Sequence, residues 1–143
     1  MGRVRNILQS KNGFIVSVCP DSTVYEALEL MLEKNIGALL VLDQNKFVGL
    51  FTERDYARKV ILKGKASKET LIREIMTEHP QKVSPDNTIE DCMLLMTNKY
   101  IRHLPVLVGE ELVGIISIGD LVRYIIDEQK FIIENLEHYI TGE

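Results

Sequence analysis

Cysteine is scarce in this chain. Cys19 and Cys92 are the two present among 143 residues, and they form neither a CxxC pair nor any metal-ligand spacing. That usage argues for a reduced, cytoplasmic setting. Excess basic charge is also missing: 17 Lys and Arg stand against 21 Asp and Glu, a net charge of −4. Broad nucleic-acid binding is thereby disfavoured, although one local basic pocket is not. No stretch has a signal peptide's apolar run, and none approaches the roughly 20 apolar residues that span a bilayer. Asn6 stands where N-myristoylation requires Ser or Thr. Catalytic signatures are lacking too: there is no P-loop lysine motif, GxGxxG, HExxH or GxSxG. His79, His103 and His138 have no metal-ligand spacing, and Asp55 and Asp120 lie in separate halves. The expectation is a protein without catalytic residues or a metal, acting neither on nucleic acid nor on a membrane.

What the sequence has is duplication. "PDSTVYEALELMLEKNIGALLVLDQNKFVGLFTERD" (20–55) lies without a gap over "PDNTIEDCMLLMTNKYIRHLPVLVGEELVGIISIGD" (85–120), an offset of 65 residues. Two copies of one unit suggest a pseudo-two-fold pair. Each unit reads β-α-β-β-α. "FIVSV" (14–18) and "QKVS" (81–84) are the first strands. Thr23 with Glu26, and Thr88 with Asp91, cap helices whose apolar residues fall at i, i+3, i+4 and i+7. Cys92 lies on one such face, as a core residue. "GALLVL" and "KFVGLF" flank the turn "DQN", and "HLPVLV" and "LVGIIS" flank "GEE", so each pair is a hairpin. "ERDYARKVIL" is a helix that stops at Gly64; the final helix starts near Gly119 and runs to Tyr139, with a short helix at "LIREIM" (71–76). Pairing the two sheets creates one shared core and two related clefts. The expected boundaries are 7–63 for the first repeat, 64–79 for a linker, 80–126 for the second repeat and 127–143 for a C-terminal helix and tail.

The heptads "GLFTERD" (49–55) and "GIISIGD" (114–120) share the pattern Gly-x-x-(Thr/Ser)-x-x-Asp. Thr52 with Asp55, and Ser117 with Asp120, have the spacing of a capping box. Capping does not account for Gly49 and Gly114, since glycine inside a strand marks close approach by backbone or ligand. A helix N-terminus suits a phosphate, and a carboxylate one turn in suits two ribose hydroxyls. Arg54, Arg102 and His103 add phosphate donors that the opposite copies lack, where Gly119, Gly37 and Ala38 stand.

These paired motifs resemble a CBS domain pair, or Bateman module, of the stand-alone type, over roughly residues 7–126. The resemblance implies an α+β fold of tandem β-α-β-β-α repeats packed sheet to sheet with pseudo-two-fold symmetry. It also implies an adenosyl ligand (AMP, ADP, ATP, NAD(H) or S-adenosylmethionine) held in the cleft between repeats. Carried over, the first site would use Thr52, Arg54 and Asp55, with Arg102 and His103 on phosphates and the chain from His79 to Lys82 against the base. The second would use Ser117 and Asp120, walled by Lys11 to Ile15 and by Ile36, Gly37 and Ala38. The second heptad carries no charge at its variable positions, so the first site is expected to be the stronger. A homodimer built through helix packing is implied, with a regulated enzyme or transporter as a further partner. The expected function is a non-catalytic adenine-nucleotide sensor; the alternative is a scaffold acting through its dimer and C-terminal helix.

Overall fold

The computed structural model describes residues 2–11 and 15–141. The elements are α1 (Val4–Ser10), β1 (Ser17–Val18), α2 (Val24–Lys34), β2 (Ala38–Asp43), β3 (Lys46–Thr52), α3 (Glu53–Asp55), α4 (Ile72–Ile75), α5 (Ile89–Lys99), β4 (His103–Val108), β5 (Glu111–Ser117) and α6 (Ile118–Thr141). One sheet has the order β1-β2-β3 and the other is the hairpin β4-β5. The two hairpins share one register: Ala38 opposite Thr52 in the first, His103 opposite Ser117 in the second, each with an irregularity two-thirds of the way along.

The capping residues act as their spacing predicts. Thr23 accepts from the Glu26 N–H, and Thr88 with Asp91 completes a reciprocal box. Asn35 and Tyr100 end α2 and α5 in left-handed conformation, the usual way a helix breaks into a following strand. At the hairpin tips Gln44 and Asn45 both have positive φ, matching a tight turn whose twist suits the flanking strands.

Several expectations need correction. The first strand is only Ser17–Val18 within the described residues, and Phe14 lies outside them. "QKVS" is no strand: Pro80 and Pro85 confine it, and Val83 alone bridges Val106, parallel, through bonds of 3.1 and 2.9 Å. "ERDYARKVIL" is a single α-turn that widens into a π-helix over Tyr56–Ile61. The short helix is there as Ile72–Ile75, and α1 is an additional one.

The core also divides differently from the single one expected. Strand alternation sends Leu39, Val41 and Phe51 to one face, where they meet Val24, Ala27, Met31, Val60, Ile72 and Ile75. In the second repeat Leu104, Val106 and Ile116 meet Ile89, Cys92, Met96, Leu121, Val4 and Ile7. The opposite faces meet at the seam in a smaller cluster of Ala38, Leu40 and Leu50, flanked by Ile15, Phe47, Leu112 and Ile115. A fully buried Phe51 or Leu104 contributes about 2–3 kcal/mol over exposure, so each repeat is stabilised mainly by its own helix–sheet layer. Burial pushes the Cys92 thiol up to about 11, so it stays protonated as a packing residue.

The short helices cross over in sequence. Preceding the first repeat, α1 packs on the second: the Val4 N–H donates to Asn87 and the Ile89 N–H to Gly2. Preceding the second repeat, α4 packs on the first: the Ile72 N–H donates to Ser22 and the Val24 N–H to Thr70.

Candidate functional site

The two Gly-x-x-(Thr/Ser)-x-x-Asp turns are built alike and end up in different surroundings. In the second, the Ser117 N–H donates to Asp120 Oδ2 at 2.9 Å, and the Asp120 N–H returns a bond to Ser117 Oγ at 3.1 Å. This is a capping box at the start of α6. Lys11, just past α1, donates to the same Oδ2 at 2.9 Å and to the Ile115 carbonyl at 2.8 Å. Among the described residues Asp120 Oδ1 meets the Arg123 guanidinium alone, at a long 3.4 Å, and that side chain is exposed. One carboxylate oxygen and the Ser117 hydroxyl proton therefore remain for a ligand. Burial raises the Asp120 carboxyl, but the bonds from Lys11 and Ser117 outweigh it and hold it below the usual range.

These groups line a cleft of about 650 Å³ with Ile36, Gly37, Ala38, Leu40, His103, Ile115, Lys34 and Asn35. Its floor is apolar strand and its rim carries Lys11, Lys34 and His103. The volume lies within the range of small-molecule sites. His103 is half-buried; desolvation lowers its pKa, and the nearby Glu53 and Asp120 carboxylates only partly restore it.

In the first turn everything is closed. The Thr52 N–H and hydroxyl both donate to Asp55 Oδ2, at 3.0 and 3.2 Å. Asp55 Oδ1 accepts from the Thr77 hydroxyl at 2.9 Å and from Lys59 at 3.0 Å. Asp55 is buried, 6% exposed, with both carboxylate oxygens taken. Thr77 is held there by a two-way backbone bridge to Leu50, with bonds of 3.0 and 2.8 Å.

The expected second site is therefore assembled around Lys11, Ile36, Gly37, Ala38, Ser117 and Asp120. Residues 12–14 lie outside the described residues, and Ile15 belongs to the seam cluster and a different cleft. The expected first site is not brought together. Arg54 reaches to the Tyr100 carbonyl, and His79 and Lys82 line the cleft at the hairpin ends with Lys46 and Arg73, facing Asp43, Glu78, Glu110 and Glu111. Arg102 is exposed, its carbonyl accepting from the Ile118 N–H. His103 stands opposite Ser117 in the β4–β5 register and, beside Gly37, also lies near Glu53 of the first turn. Lys34, Asn35, Val16, Leu40 and Ile115 were not anticipated; the left-handed Asn35 before Ile36-Gly37 is the signal that α2 ends at a cleft wall. Among the described residues no group of three or more His, Cys, Asp or Glu could hold a metal, and no helix is long and apolar enough to cross a membrane.

The family model for the CBS domain matches twice, at residues 6–62 and 72–127. The chain belongs to the CBS-domain family. It is similar to the mitochondrial CBS domain-containing protein CBSX3 of Arabidopsis thaliana, 39% identical over 94% of this chain and 68% of the relative. It is similar to the CBS domain-containing protein YhcV of Bacillus subtilis, 35% identical over 75% of this chain and 76% of the relative. Among solved structures, a CBS-domain protein of Burkholderia ambifaria is 48% identical with a TM-score of 0.85, covering 89% of this chain and 96% of its own. The α+β architecture of this tandem CBS pair is that of its structural relatives, and such pairs are regulatory modules for which ligand binding is typical.

Proposed function

We propose that this CBS pair is a non-catalytic sensor that binds a phosphate-bearing adenosyl ligand (AMP, ADP, ATP or NAD(H)) in the cleft of Ser117 and Asp120. The observation that carries the reading is the difference between the two turns: Asp120 keeps an oxygen for a ligand, while Asp55 has none. Asp120 accepts from the ribose, Ser117 and the helix N-terminus take phosphate, and Lys11, Lys34 and His103 supply positive charge. Adenine lies against Ile36, Ala38, Leu40 and Ile115. A ligand touching both repeats biases their relative position through its differential affinity for the two arrangements, which a homodimer would pass to a regulated enzyme or transporter. The two free thiols fit a reducing cytoplasm.

Thermal denaturation with a panel of adenine nucleotides tests this. A ligand at 100 times its Kd adds about 2.7 kcal/mol, a rise of about 5–10 °C for a chain of this size. If AMP, ADP, ATP, NAD and NADH all leave the melting point unmoved, the sensor reading fails and the scaffold reading stands.

His103 gives a second prediction. Burial holds its pKa below the ordinary value, so the ring is largely neutral in the ligand-free protein at pH 7. A phosphate alongside favours the imidazolium, so binding takes up a proton. Affinity for NAD, whose pyrophosphate does not titrate in this range, is expected to rise about three- to ten-fold between pH 7.5 and 5.5. His103→Gln should flatten that profile in calorimetric titrations. Stability runs the other way: a lowered histidine pKa means the unfolded chain protonates first, so His103 subtracts stability as pH falls below about 6.5.

A further inference from the structure

Each turn is tied by one backbone bond to the loop that enters its hairpin. The Ile118 N–H donates to the Arg102 carbonyl at 2.9 Å, and the Glu53 N–H donates to the Gly37 carbonyl at 3.2 Å. The two junctions are built alike and charged differently: isoleucine joins arginine in the second repeat, glutamate joins glycine in the first. The missing side chain at Gly37 makes room for Glu53. A methyl group there would lie 3.0 Å from Glu53 Oε1 and 3.5 Å from His103 Cε1, so carboxylate and imidazole share one small space. Gly37 and His103 both line the cleft of Ser117 and Asp120, which puts the Glu53 carboxylate at its edge. Among the described residues no hydrogen bond or ion pair holds that carboxylate. Of the charges felt by the His103 ring, Glu53 weighs most and Arg102 least. Positive charge nearby is largely committed: Lys11 is bound to Asp120 and the Ile115 carbonyl, and Arg54 to the Tyr100 carbonyl. Lys34 remains, exposed at the rim.

We propose that Glu53 limits the negative charge this cleft accepts, so that a nucleoside monophosphate binds in preference to its di- and triphosphate. The inference rests on the adenosyl-ligand reading above and adds which ligand the site selects. One phosphate is met by the Ser117 hydroxyl and the N-terminus of α6. His103 stands opposite Ser117, so a second and third phosphate extended past it come against the Glu53 carboxylate. Each added charge is then opposed instead of neutralised. The closed turn of the first repeat thereby sets the selectivity of the open turn of the second.

Isothermal titration of the full chain with adenosine, AMP, ADP and ATP tests the limit, in EDTA so that no cation shields the phosphates. The wild type should prefer AMP to ATP by about ten-fold, and added salt should shrink that preference. Glu53→Gln keeps the backbone bond to Gly37, so its melting point should stay. It should bind AMP within about two-fold of the wild type, ADP about three-fold more tightly and ATP about ten-fold more tightly. Glu53→Asp, which retains the charge, should retain the preference. A wild type that takes ATP as tightly as AMP overturns the proposal. So does a Glu53→Gln protein that binds AMP and keeps the wild-type preference, or one whose affinities for all three nucleotides rise equally; these results leave the sensor reading standing. If neither adenosine nor any of the three nucleotides binds the wild type, the sensor reading itself fails and this inference falls with it.

Discussion

Asp120→Asn is expected to weaken the binding of AMP or NAD about 100-fold with little change in fold. The substitution keeps the shape of the side chain and removes its charge, so the capping bond from the Ser117 N–H survives in neutral form. What is lost is the pair of charge-assisted bonds that a ribose diol gives a carboxylate, each about 1.5–3 kcal/mol. About 3 kcal/mol in total is a factor of about 100. Lys11 modulates the result. With Asp120 neutral, its ammonium keeps only the Ile115 carbonyl and turns toward any phosphate present. The loss should therefore be greater for adenosine than for AMP. Asp55→Asn is the control. Its carboxylate is enclosed by Thr52, Thr77 and Lys59, so nucleotide affinity should shift by less than about three-fold while stability drops. Isothermal titration of both variants decides the matter: an Asp55→Asn protein as impaired as Asp120→Asn would move the ligand to the other turn.

That ordering reverses the one the charges in the sequence suggest, and the reason is local. "TERD" is richer in charge than "SIGD", but richness at the variable positions does not say where the side chains go. Arg54 leaves the turn for the Tyr100 carbonyl. Lys59, one helical turn after Asp55, closes on it; the equivalent residue in the second repeat is Tyr124, which cannot. Thr77, delivered by the segment that follows α4, fills the remaining oxygen. Legible beforehand in local pattern were the duplication, the two hairpins and the caps at Thr23 and Thr88, while the cleft wall at Ile36-Gly37-Ala38 came from the resemblance to CBS pairs. Illegible was what non-local delivery sets: Thr77 onto Asp55, and the bond from Lys11, expected only in the wall of that cleft, onto Asp120 Oδ2. Helix α1 escaped notice for a similar reason. Its apolar residues Val4, Ile7 and Leu8 make barely one turn of periodicity, and its partners lie in the distant second repeat.

The glycine of each heptad supplies the second large effect, and here the copies should again diverge. Gly49 and Gly114 are buried at matched positions of β3 and β5. A methyl group on Gly49 would stand 2.9 Å from the Thr77 carbonyl oxygen and 3.0 Å from Met76 Sδ; on Gly114 it would stand 2.8 Å from Leu8 Cδ2. The obstacle at Gly49 is backbone, pinned on both sides by the Leu50–Thr77 bridge, and it cannot yield without breaking those bonds. At Gly114 the obstacle is the end of a flexible side chain. Gly49→Ala is accordingly expected to cost about 2–3 kcal/mol, the upper range for an overpacked site, lowering the melting point by about 5–10 °C. Gly114→Ala should cost about 1 kcal/mol or less. Leu8→Ala should reduce even that, so that the Gly114/Leu8 double-mutant cycle shows favourable coupling where a Gly49/Leu8 cycle shows none. Equal and small losses at both glycines would mean that the Met76–Thr77 segment does not lie on β3 as described. Thr77 would then not seal Asp55, and the distinction between the two turns on which ligand placement depends would go with it.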